Sequence, residues 1–144
     1  MSKVSIVYWS GTGNTAAMAA AVAEGVKDGG AEAELLEVSA ASADALKEVK
    51  AIALGCPSMG AEQLEESEME PFMEELDGLI SGKTVALFGS YGWGNQEWMR
   101  DWEERIQADG ATVLNGEGIT VNGAPGDDVL EDCKSAGRGL AGIA

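Results

Sequence analysis

At 144 residues, 45% hydrophobic and 24% charged, the chain is long enough to bury a core and has the composition of a soluble globular protein. Nine basic residues against 25 acidic ones give a formal net charge of -16, which argues against nucleic acid and an anionic membrane surface as partners. With no histidine and only two cysteines, histidine triads, histidine metal sites and zinc constellations are excluded as well.

A basic protein partner, met by electrostatic steering, suits the acidity better. Cys56 and Cys133 both fall in apolar patterns and read as buried, reduced thiols. No run approaches the ~20 apolar residues that cross a bilayer. The start, "MSKVSIVYWSG", lacks the apolar stretch and cleavage site of a signal peptide, so it reads as the beginning of the fold and the expected location is cytoplasmic.

In chain order, "KVSIVYW" is the first strand and "TAAMAAAVAEGVKDGG" a helix, with Met18, Val22 and Val26 at four-residue spacing and a glycine pair to stop it. "AEAELLEVS" is a second strand, and "SADALKEV" predicts a short helix capped by Ser42 or Asp44. "KAIALGC" is a third strand. "EMEPFMEELDGLI" is helical, with Met69, Phe72, Met73, Leu76 and Ile80 on one face. "KTVALFGS" is a fourth strand, followed by the helix "QEWMRDWEERIQADG" with Trp98, Trp102 and Ile106 aligned. "ATVLNGEGITVNG" is a fifth strand with an irregular middle, and "DDVLEDCKSAGRGLAGIA" closes the chain as a helix carrying Val129, Cys133 and Leu140 on one side.

Strands separated by helices mean a parallel sheet with right-handed crossovers. No linker, repeat or low-complexity segment interrupts the pattern, so one doubly wound α/β domain of five strands is expected over residues 1–144. Ligands of such sheets bind beyond the carboxyl ends of the strands, where the strand order reverses. Three loops fall at that edge: residues 10–15, 57–67 and 90–95.

The first loop joins a strand to a helix N-terminus, where unpaired amides and the positive dipole end bind anions. Gly11 and Gly13 let the backbone curl so that N–H groups converge, while Ser10, Thr12, Asn14 and Thr15 add side-chain donors. That set suits a terminal phosphate, although an ordinary capped turn would also satisfy it. The lysine of a GxxxxGK[ST] loop is missing, which argues against nucleoside triphosphate hydrolysis. A dinucleotide fingerprint is matched weakly by Gly11, Gly13 and Ala16, with Glu37 near the expected distance. The acidic pair that a response-regulator receiver needs after its first strand is absent.

The second and third loops complete the reading. "SYGWGNQEW" sets Trp93 between Gly92 and Gly94, and "CPSMGAEQ" offers Met59 and Gly60 in a turn at the same edge. A flat ring could lie between Trp93 and Met59. One phosphate and one flat ring system describe FMN.

On "YWSGTGNT", "GCPSMGAE" and "LFGSYGWG" the sequence resembles the short-chain flavodoxins of obligate anaerobes over essentially its whole length. The resemblance implies a flavodoxin-like sheet of order 2-1-3-4-5 with helices on both faces. It implies that Ser10, Gly11, Thr12, Gly13, Asn14 and Thr15 bind the FMN phosphate, and that Met59 and Trp93 flank the isoalloxazine. Glu62 would accept from the flavin N3–H, and the backbone of Ser90, Tyr91 and Gly92 would meet the pyrimidine edge. Ser58 and Asn122 are looser candidates for ribityl contact. A peptide flip in the turn Met59, Gly60, Ala61, Glu62 would present the Gly60 carbonyl to the reduced ring. Related proteins can carry asparagine, aspartate, serine or glycine at Ala61, and alanine tolerates positive φ less well.

The implied function is a low-potential one-electron carrier with non-covalent FMN, cycling mainly between semiquinone and hydroquinone, and not an enzyme. The alternative is a small FMN-dependent reductase of quinone or flavin type, which would want a substrate pocket and a proton-handling side chain; Tyr91 is the only candidate. Carboxylates at Glu62, Glu65, Glu66, Glu68, Glu70, Glu74 and Glu75 read mostly as a solvated face whose field opposes a second electron. Partners of the family type are a ferredoxin or flavodoxin reductase, a pyruvate oxidoreductase, a hydrogenase or a nitrogenase, docking on a monomer.

Overall fold

Alternation along the first strand divides the molecule into two cores. β1 (Lys3–Tyr8) is buried through its middle, and successive side chains point to opposite faces of the sheet. Val4 and Ile6 enter one apolar cluster while Val7 enters the other. The computed structural model describes residues 2–144. Around β1 lie α1 (Asn14–Asp28), β2 (Glu32–Glu37), β3 (Ala51–Gly55), α2 (Met69–Leu76), β4 (Thr84–Tyr91), α3 (Glu97–Ala108), β5 (Thr112–Val113), β6 (Ile119–Asn122) and α4 (Asp127–Ile143).

All pairings of the sheet are parallel, in the order β2-β1-β3-β4-β5, with β6 also on β4. This is the expected doubly wound order. α1 and α4 supply Met18, Val22, Val26, Cys133 and Leu140 to one core; α2 and α3 supply Met69, Phe72, Met73, Trp98, Trp102 and Ile106 to the other. α1 and α4 touch closely because glycines face each other. A β-carbon on Gly25 would lie 2.0 Å from the Lys134 carbonyl oxygen, and one on Gly137 2.1 Å from that of Val22.

Two expectations are corrected. The short helix of residues 42–49 is a 3₁₀ turn, Asp44–Leu46, and neither Ser42 nor Asp44 caps it with its side chain. Asp44 instead takes Lys47 Nζ at 2.9 Å. The buried residues here are Ala43, Leu46 and Val49, a three-residue spacing that matches the 3₁₀ period, and Leu46 N–H and Val49 N–H bond three residues back.

The fifth strand is two short strands, so the sheet has six. Between β5 and β6 the chain makes a 3₁₀ turn, Leu114–Gly116, with Asn115 at φ 62°. The Gly118 amide then leaves the ladder to donate to Glu103 Oε2 at 2.7 Å. A β-carbon on Gly118 would lie 2.3 Å from Met99 Sδ, so the break is built around α3.

Candidate functional site

Tyr8, Gly55 and Tyr91 close or adjoin the carboxyl ends of β1, β3 and β4, and backbone bonds bind the segments that follow to one another. Trp9 N–H donates to Gly55 O at 3.0 Å, Cys56 N–H to Phe88 O at 3.1 Å and Ser58 N–H to Ser90 O at 3.0 Å. The Thr15 and Ser90 hydroxyls meet at 3.4 Å in the interior, joining the first loop to the third. Gly123 N–H reaches Tyr91 O at 2.8 Å, and Asn122 pairs in register with Tyr91. The sequence-predicted residues of all three loops, and Asn122, are therefore brought to one edge.

In the first loop, Ser10 Oγ accepts from the amides of Gly13 at 3.1 Å and Ala16 at 3.3 Å. That hydroxyl curls the chain into the first turn of α1, with Gly13 at φ 98° and open space on its β-carbon side. Asn14 and Thr15 open the helix, so their amides have no earlier turn to bond. Gly11, Thr12 and Gly13 are exposed, and the Trp9 ring edge lies 3.1 Å from where a Gly11 β-carbon would be. The loop has the open, donor-lined form that an anion requires.

In the second loop Met59 and Gln63 exchange both backbone bonds, at 2.8 and 2.9 Å. The three residues between them form a tight tip with Gly60 at φ 51° and Glu62 at φ 54°. Positive φ falls on Gly60 and Glu62, not on Ala61. A glutamate there is an uncommon conformation and marks constraint. Its constraint is visible: Glu62 Oε1 accepts the amides of Asn95 at 3.1 Å and Glu97 at 3.0 Å, capping α3 from a different loop.

In the third loop Trp93 is 62% exposed, far from a packed core residue. Tyr91 is half-buried, its ring 5.7 Å from that of Trp98 at 51°. Beneath it, Trp98 Nε1 donates to the Cys56 carbonyl at 3.0 Å, fixing the end of β3 to α3. The half-buried Met59 and the exposed Trp93 are apolar groups at the rim; Gly92 leaves open space beside Trp93, while Gly94 packs against the Glu62 carboxylate. The donor set and the rim fit a group with one anionic end and one planar end.

Both thiols are buried, as expected. Burial pushes Cys56 and Cys133 up to about 12, so neither is a nucleophile at neutral pH.

Sequence reasoning missed two features. Glu65, taken with its neighbours as part of a solvated face, is 6% exposed. Its carboxylate accepts from the Ser67 amide (2.9 Å) and hydroxyl and from the amides of Glu68 (2.7 Å) and Met69 (3.0 Å). Burial raises its pKa, but those donors outweigh burial and the net shift is downward. Glu70 is likewise not free, since Arg105 holds it through two 2.9 Å bonds and also grips Asp77. The only sequence signal for Glu65 was its place four residues before α2. Glu66, Glu68, Glu74 and Glu75 are exposed as expected.

A family model described as flavodoxin matches residues 6–137. The chain is 48% identical over 138 residues to a flavodoxin of Clostridium beijerinckii, covering 96% of this chain and 99% of that protein. It is 47% identical over 138 residues to a flavodoxin of Megasphaera elsdenii, covering 96% and 98%. The solution structure of two-electron reduced Megasphaera elsdenii flavodoxin matches the fold with a TM-score of 0.87 at 45% identity, over 96% of this chain and 98% of that one.

Proposed function

This chain belongs to the flavodoxin family, and on that premise we propose that it holds one FMN at the three loops and passes electrons between redox enzymes with basic docking surfaces. It is an electron-transfer protein rather than an enzyme, and its cofactor is a flavin. When bound, the flavin supplies the chemistry, taking up and releasing electrons singly at low potential. The observation that carries the assignment of FMN is the interlocked edge itself: a donor-lined, open helix start at one end and an exposed Trp93 between glycines at the other.

The residues divide the work. Ser10, Gly11, Thr12, Gly13, Asn14 and Thr15 hold the phosphate without a cation, leaving its charge unneutralised. Met59 and Trp93 cover the ring faces and exclude water from them. Ser90, Tyr91 and Gly92 present backbone to the ring edge, with Ser58 and Asn122 beside the ribityl chain. Glu62 Oε1 is occupied by the α3 amides. Its Oε2 has no hydrogen-bond partner among the described residues and accepts from the ring N–H. Gly60 and Ala61 form the tip that offers a carbonyl to the reduced ring.

Charge sets the direction of tuning. Exposed Glu66, Glu68, Glu74 and Glu75 each oppose new negative charge by roughly 0.4 kcal/mol at ~10 Å in water-like dielectric, before salt screening. Water exclusion by Trp93 acts in the same sense, since burial disfavours an anion. The same carboxylates steer basic partners, for which a ferredoxin or flavodoxin reductase, a pyruvate oxidoreductase, a hydrogenase and a nitrogenase are the candidates. We take residues 1–144 as one domain, acting as a monomer in the cytoplasm. No helix among the described residues is long and apolar enough to cross a membrane.

The test is an anaerobic dithionite titration of the protein loaded with FMN, followed by visible absorbance. Two resolved one-electron steps, the first giving a long-wavelength band, are expected. Failure to take up FMN, or bleaching in one two-electron step, would overturn the proposal.

A further inference from the structure

The polar groups of Glu65 are spent on holding one stretch of chain. Its amide donates to Cys56 Sγ at 3.4 Å, its carbonyl accepts Glu70 N–H at 2.9 Å, and its two carboxylate oxygens take the three amides and one hydroxyl of residues 67–69. Leu64 beside it is 7% exposed. One end of this knot is thus the end of β3, itself bonded to β4 through Cys56 N–H, and the other is the first turn of α2. The root of the loop is fixed on two elements at once.

The tip is different. Between Met59 and Gln63 only residues 60–62 lie outside the backbone pair; a β-carbon on Gly60 would meet nothing nearer than 3.9 Å, and Glu62 is tied to the Asn95 and Glu97 amides through its side chain. A helix N-terminus needs only a short polar cap to be satisfied, and a serine, threonine, asparagine or aspartate does this at low cost. Burying a carboxylate is expensive unless every oxygen is bonded. Here both oxygens are bonded: the charge ties the end of the 57–67 loop to the start of α2, and the backbone amide of the same residue ties it to Cys56.

We propose that Glu65 is a positioning residue for the flavin: it immobilises the root of the 57–67 loop so that changes of shape with redox state are confined to residues 60–62. The inference rests on the reading of this loop as a flavin contact. With the root fixed, the cost of reshaping the tip is set by a few dihedral angles. With the root loose, the loop shares that cost among many residues, and the balance between redox states changes.

The test uses the full chain as wild type, Glu65→Gln, Ser67→Ala and, as a charge control, Glu66→Gln. Both midpoint potentials are measured on the FMN-loaded proteins, with amide exchange and urea unfolding on the proteins without FMN. In the wild type the amides of Glu68 and Met69 should exchange at least about tenfold more slowly than those of residues 60–62. Glu65→Gln should change the separation of the two potentials by the equivalent of about tenfold, ~59 mV for a one-electron couple. Ser67→Ala, which keeps the charge, should move it in the same direction by less, and Glu66→Gln, which removes one exposed charge without touching the 67–69 amides, should show the bare charge effect, no more than about a third of the Glu65→Gln change. A Glu65→Gln protein with a lower urea midpoint and an unchanged separation would reduce Glu65 to a helix cap and overturn the proposal. Root amides that exchange as fast as the tip would do the same. If Glu65→Gln does not fold, Ser67→Ala decides. A wild type that takes up no FMN defeats the functional reading as well, which separates that failure from one in the variants alone.

Discussion

The carboxylate of Glu62 stands where a side chain on Gly94 would have to go. A β-carbon built on Gly94 would lie 2.4 Å from Glu62 Cδ and 2.6 Å from its Oε1, and Gly94 itself sits at φ 90°. Gly94→Ala therefore meets a steric conflict and a left-handed backbone together. It should destabilise the protein by about 1–3 kcal/mol, read by urea unfolding, and weaken FMN uptake. Gly92→Ala is the matched control: nothing lies within 4 Å of its β-carbon position, and its stability should change by less than about 0.5 kcal/mol.

Because Glu62 Oε1 accepts the Asn95 and Glu97 amides, its role in stability precedes any ligand. Glu62→Ala should cost about 1 kcal/mol in the FMN-free protein, as loss of a helix cap does. Glu62→Gln keeps an acceptor oxygen and should cost less. Equal stability of all three proteins would show that the bond between loops is not a cap.

Asp109 supplies a pH signature. Burial, then the hydrogen bond and charge of Asp77, raise its pKa from 3.8 to about 6, with Arg105 opposing. The carboxyl can share that hydrogen bond with Asp77 only while one of the two carries a proton; with both ionised, the buried Asp109 Oδ2 has no donor among the described residues. Between pH 3.8 and 6 the folded protein binds a proton that the unfolded chain has released, so this group's contribution falls as pH rises through that window. Asp109→Asn should raise stability at pH 7 by roughly 1 kcal/mol after solvent screening, and the gain should vanish below about pH 4. A gain independent of pH would contradict the assignment. Glu65 has the opposite sign: its lowered pKa adds stability that is full above its ordinary value of 4.5 and lost as pH falls below it.

The crossing of α1 and α4 tolerates no side chain at its contact. Gly137→Ala would place a β-carbon 2.1 Å from Val22 O and 2.8 Å from Val26 N, both backbone atoms that cannot swing away. The helices must separate, and a loss of about 1–3 kcal/mol is expected, with a lower Tm. Gly142→Ala on the same helix meets nothing within 4 Å and should be neutral or slightly stabilising.

Electron transfer to a basic partner should slow by roughly tenfold or more between about 0.01 M and 1 M salt, as the Debye length contracts from ~30 Å to ~3 Å. Stopped-flow rates that ignore ionic strength would remove the acidic face from the docking step.

The parallel, doubly wound sheet and the three loops were legible because apolar strand runs alternate with helical spacing and each loop carries its own glycines or aromatic; the order 2-1-3-4-5 came from the family resemblance. What was not legible depended on partners distant in sequence. The Ala43, Leu46 and Val49 spacing resembles a helix until the 3₁₀ bonds are seen. The break after Val113 depends on Glu103 of α3 taking the Gly118 amide. Glu65 is indistinguishable from Glu66 in a run of carboxylates, and only the fold turns one inward. Glu62 was expected to face a ring, and its second task, holding the amides of Asn95 and Glu97, had no local signal.

The split of the fifth strand also bears on how the chain avoids its own kind. A long, flat, unpaired strand at a sheet margin is a template for another molecule's backbone, and proteins blunt such margins with charge, short strands or bends. Here one margin is β2, which carries Glu32, Glu34 and Glu37. The other is divided into two residues and four, separated by the turn at Asn115. Strand addition by another molecule is hindered at both margins, which works against the backbone pairing that fibril growth needs.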